Sequence, residues 1–74
     1  MTLTAAAHAM QPAVAPLGPD AIERYRLFAG PCAAPPRTVA EYNAGLLAQA
    51  RFFEAGGSPD ERLAAMLARE ALIA

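Results

Sequence analysis

The chain has 74 residues, six of them basic and seven acidic, for a formal net charge of -1. A chain this short makes one domain and buries only about 60% of its unfolded surface, which leaves little room for a deep catalytic cleft. All six basic residues are arginines, spread from Arg24 to Arg69, so the basic stripe of a nucleic-acid binder is missing.

Residues 1–18 read as an extended Ala/Pro-rich N-terminal arm. Ala5, Ala6 and Ala7 can hold a turn or two of helix after Thr4, but Pro12 and Pro16 then impose extended geometry. The stretch from Thr2 to Pro19 carries no formal charge. It lacks the basic start of a signal peptide and is too short and proline-broken to span a membrane. The expected location is therefore cytoplasmic or inside a larger particle. His8 stands alone there, with no second ligand at metal spacing, and reads as a surface residue.

A small helical domain is expected over residues 19–74. Its first helix runs from about 19 to 29, with Asp20 as the cap, Glu23 three residues later, and Gly30-Pro31 as the stop. Ten or so residues are too few to hold a helix alone, so the face formed by Ile22, Tyr25 and Ala29, with Phe28 and Ala21 at its edge, must rest on another helix. Pro31, Pro35 and Pro36 frame a stiff connector. Cys32 lies in it, the chain's one cysteine, so no intramolecular disulfide forms. With no base nearby it reads as an inert thiol.

The second helix is expected over about 38–55, opened by a capping box of Thr38 and Glu41 and closed by Gly56-Gly57. Ser58-Pro59-Asp60-Glu61 then carries every start signal of a helix at once: a serine cap, proline in the first turn, acidic residues near the helix N-terminus, and a glutamate to close the box. The third helix should run over about 59–73. So short a link between helices of similar length makes them antiparallel. The fold class is all-α: a short helix followed by an antiparallel helical hairpin.

At 100° per residue, Val39, Tyr42, Leu46, Ala50 and Phe53 share one stripe, and Leu63, Met66, Leu67, Ile73 and Ala74 are expected to answer it. Antiparallel register sets Phe53 near Leu63, Leu46 near Leu67 and Tyr42 near Glu70. Glu70 falls in the middle of the apolar stripe, where an unpaired carboxylate is costly. It should bond the Tyr42 hydroxyl or the Asn43 amide, or else reach out to solvent near the C-terminus.

Gly45, Ala48, Phe52 and Ala55 form a second stripe on the back of the middle helix. A glycine inside a helix costs about 1 kcal/mol relative to alanine, and close approach of another backbone would offset it. Either the first helix packs there, or another chain does.

Twenty of the apolar residues are alanine, and small cores usually need a metal, disulfides or association with another chain. Of these, association is left. No catalytic, cofactor-binding or metal-binding set is expected, and no small-molecule substrate. The expected role is a non-enzymatic interaction subunit that docks onto a larger protein assembly or onto copies of itself. Its contacts are expected from Phe52, Gly45, Ala48, Ala55, Tyr25 and Phe28. The rival expectation is a small dimeric regulator, antitoxin-like or polymerase- or DNA-binding, with Arg24, Arg26 and Arg37 forming a positive stripe.

Overall fold

A computed structural model describes residues 16–74, and the arm expected over 1–18 lies outside them as far as residue 15. Among the described residues the chain forms three helices, α1 (Pro19–Ala29), α2 (Val39–Gly56) and α3 (Pro59–Glu70). The all-α hairpin with a short helix before it is the architecture observed.

Local chemistry accounts for most of the boundaries. At α3 the capping box is complete: the Glu61 amide donates to Ser58 Oγ at 3.1 Å, and the Ser58 amide donates to Glu61 Oε1 at 3.3 Å. At α2 the Glu41 amide donates to Thr38 Oγ1 at 3.2 Å, but the Glu41 carboxylate takes the amide of Arg37 rather than that of Thr38. The α1 cap differs from expectation. Gly18 is the capping residue, with no side-chain bond, and Asp20 lies inside the first turn behind Pro19. Proline pre-sets the first helical turn without needing an amide partner, so the helix starts two residues too early for Asp20 to cap it. The left-handed turn that ends α2 falls at Gly57, where φ is +80°, a conformation costly for residues bearing a β-carbon.

The core is built from the front of α2. Tyr42, Leu46 and Ala50 are fully buried; Ala65 and Ala68, the buried residues of α3, pack with Ala50, while Ala71, Leu72 and Ile73 pack against Tyr42 and Leu46. The antiparallel register is as expected, since Tyr42 meets Ala71 and Asn43 meets Ile73 at the open end. The rotation of α3 is not. Leu63, Met66 and Leu67 stand 53%, 59% and 46% exposed, and Glu70 is exposed with them. Turning the helix by about half a turn keeps the pairing levels to within a residue or two and exchanges the face.

Magnitudes explain the exchange. Leaving three half-exposed leucine and methionine side chains outside forgoes roughly 1 kcal/mol each. The alternative face would drag the Glu70 carboxylate into the seam, at several kcal/mol if unpaired. Alanines at 65 and 68 also let the helix backbones approach closely, which recovers dispersion contacts along the seam.

The last helix stops at Glu70, three residues short of the expected end, although no glycine or proline follows it. Side chains from α2 take over the backbone there. The Tyr42 hydroxyl donates to the Ala71 carbonyl at 2.8 Å. Asn43 grips Ile73 from both sides, donating Nδ2 to its carbonyl at 2.7 Å and accepting its amide on Oδ1 at 2.9 Å. That clasp holds Ala71, Leu72 and Ile73 against the cluster of Ala21, Tyr42 and Leu46.

The first helix lies on the back of α2. Ala21 joins the Tyr42–Leu46 cluster, and Phe28 packs against that cluster and against the Ala50–Ala65–Ala68 one. Pro16 bridges to Thr38 and Arg24 reaches Tyr42, so contacts advance along both helices in the same order. The connector must therefore run back to the start of α2, and its Pro36 is buried. Of the two expectations for Gly45, internal packing is the one observed: a β-carbon there would lie 2.5 Å from Tyr25 Cε2 and 2.7 Å from Cζ.

Candidate interaction surface

The residues expected to make contacts divide into two groups. Gly45 lies beneath the Tyr25 ring. Tyr25 is half-buried, its ring centroid 6.0 Å from that of Tyr42 at 43°. Phe28 is half-buried between the two core clusters. These three are engaged inside the chain. Ala48 and Ala55 are exposed, and Phe52 is 69% exposed, held edge-on to Phe53 at 5.9 Å. The structure thus keeps the turn-ward half of the back stripe open and closes the other half with α1.

The expected Glu70–Tyr42 pair does not form. Tyr42 is fully buried, and its hydroxyl accepts from Arg24 Nε at 3.1 Å while donating to the Ala71 carbonyl. Every hydrogen-bonding capacity of the phenol is then engaged by a group other than a carboxylate. Asn43, the alternative partner for Glu70, is committed to Ile73. Glu70 takes the remaining course and faces solvent.

Sequence reasoning placed Leu63, Met66 and Leu67 in the seam and so missed them as surface. The misfit of Glu70 in that stripe was the signal: a carboxylate on the same line marks the line as the wet face. Leu27, 83% exposed on α1, was also not foreseen.

The edge of the α3 face is charged. Arg69 forms a two-pronged ion pair with Glu54 across the seam, its second prong Nη2 to Oε1 at 3.0 Å, and among the described residues this is the one salt bridge. The Arg69 hydrogen bond holds the Glu54 carboxyl below its ordinary range, with a smaller contribution from the charges of Arg69 and Arg51. The same bond raises Arg69 above its usual value. Arg24, one of three arginines expected to form a positive stripe, turns inward to Tyr42.

Among the described residues no three His, Cys, Asp or Glu side chains gather as a metal site. No helix among them is long and apolar enough to cross a membrane. Cys32 is an exposed free thiol, and His8 lies outside the described residues. Compared with known families, curated proteins and solved structures, the chain matches none of them.

Proposed function

We propose that the chain is a non-enzymatic interaction subunit that docks by its helices and N-terminal arm onto a larger protein assembly, such as an enzyme complex or a virus particle, or onto copies of itself. The observation that carries this reading is the outer face of α3, where Leu63, Met66 and Leu67 stand exposed together. They offer on the order of 300 Å² of mainly apolar surface, as large as the biggest patch on many monomers several times this size. Phe52, exposed on α2, adds an aromatic side chain of the kind that anchors interfaces. Such a subunit would work in the cytoplasm or within the particle it belongs to. Arg24, turned toward Tyr42, weighs against the rival reading of a DNA-binding regulator.

The test is sedimentation of the purified chain, alone and with proteins captured from its own cell, beside a Met66→Asp variant. Association that the variant loses, with its helix content unchanged, is the expected result. A wild-type chain that stays monomeric and captures nothing would overturn the reading.

A further inference from the structure

We propose that the outer face of α3 receives a single amphipathic helix from a protein partner, one whose apolar stripe is bordered along one edge by acidic residues. This rests on the interaction reading above and specifies the partner's chemistry.

Three observations converge. The first is shape. On a helical wheel, Leu63, Met66, Leu67 and Glu70 lie opposite the buried Ala65 and Ala68, and the strip from Pro59 to Glu70 runs about 16 Å, or three turns. That is the length over which one helix lies along another.

The second is area. The apolar part of the strip, on the order of 300 Å², is smaller than the roughly 450 Å² of apolar area within the roughly 800 Å² per partner that a stable interface between two folded chains needs. A lone helix, by contrast, fills such a strip with two or three side chains.

The third is charge. Arg62 and Arg69, seven residues apart, fall on one edge of the strip, and Arg51 of α2 is close enough to act on Glu54. Glu54 neutralises Arg69, while Arg62 has no ion-pair partner among the described residues. The edge is therefore net positive. The other edge carries Asp60 and Ala64. In an antiparallel two-fold pair of α3 helices each edge meets its own copy, so Arg62 and Arg69 would face arginines. A second copy in that antiparallel arrangement is thus a poor occupant, and a helix with an acidic edge is a good one. Glu70 closes the strip at its C-terminal end, which puts the partner's acidic residues toward Arg62.

The probes are two synthetic helical peptides with the same leucine stripe, one with glutamates and one with lysines along a single edge, titrated against the full chain. The glutamate peptide is expected to bind about tenfold more tightly at low salt, with the difference shrinking as salt rises. Met66→Asp should abolish binding of both, and Arg62→Glu should erase the preference while helix content stays unchanged. Equal binding, a preference for lysine, or indifference to Met66→Asp would overturn the proposal. So would tighter peptide binding after removal of residues 1–15, which would make that segment the occupant. Self-association through Met66, or preferential binding to anionic phospholipid vesicles, would likewise replace the partner helix. If protein capture still depends on Met66 while the peptides are not distinguished, the acidic-edge rule fails and the interaction reading stands.

Discussion

Gly45→Ala should destabilise the chain, against what helix propensity alone dictates. Alanine in place of a mid-helix glycine stabilises by about 1 kcal/mol, and Gly45 lies well inside α2. Yet the new β-carbon would lie on the Tyr25 ring, 2.5 Å from Cε2, so the ring must leave. Tyr25 is half-buried, and moving it gives up roughly 1–1.5 kcal/mol of burial. Its tilted contact with Tyr42 is worth about 0.5–1.5 kcal/mol more. The loss exceeds the gain by roughly 0.5–2 kcal/mol, and each kcal/mol lowers the Tm of so small a domain by about 4–8 °C. The decisive assay is thermal unfolding of a double-mutant cycle. In a Tyr25→Ala background the same Gly45→Ala change should turn stabilising, by about 1 kcal/mol. Stabilisation by Gly45→Ala in the wild-type chain would refute the packing of α1 on α2.

Asn43→Ala should cost about 1–2 kcal/mol, because it strips both partners from the half-buried Ile73 backbone; hydrogen exchange at the Ile73 amide should quicken while the middle of α2 stays protected. Gly56→Ala should bring none of the usual gain, since its β-carbon would meet the Glu61 carboxylate that closes the α3 cap, and denaturant unfolding with and without Glu61→Ala will show whether removing that carboxylate restores it. Glu54 titrates below its unfolded value because Arg69 bonds its charged form. Its contribution to stability is complete above the ordinary carboxylate range and is lost as pH falls through the lowered folded value. NMR titration should find that depression and see it vanish in Arg69→Gln, and raised salt should shrink it, since both side chains are exposed.

Elements were far more legible in the sequence than faces. Ser58, Glu61, Thr38 and Gly57 act through neighbours a few residues away, so their signals survive in a linear reading. The end of α3 did not, because Tyr42 and Asn43 stop it from about thirty residues away. Face assignment failed for a related reason. Apolar size pointed to Leu63, Met66 and Leu67 as the seam, but close approach of two helices is set by the smallest residues available, here Ala65 and Ala68. Glu70 was the clue, since a carboxylate shares the line of the large side chains. The same error hid the candidate surface: the residues assigned to the core are the ones left for a partner. Gly45 shows the converse, a small residue whose pattern left an internal helix and a partner chain both open, and which holds an internal tyrosine.

The rotation of α3 is what places Leu63, Met66 and Leu67 outside, and methyl NMR tests it most directly. Nuclear Overhauser contacts should join the Ala65 and Ala68 methyls to the Ala50 methyl, while a soluble paramagnetic agent broadens the Met66 methyl first. Contacts from Leu67 or Met66 to Leu46, with Ala68 broadened instead, would contradict the exposed face and the function proposed for it.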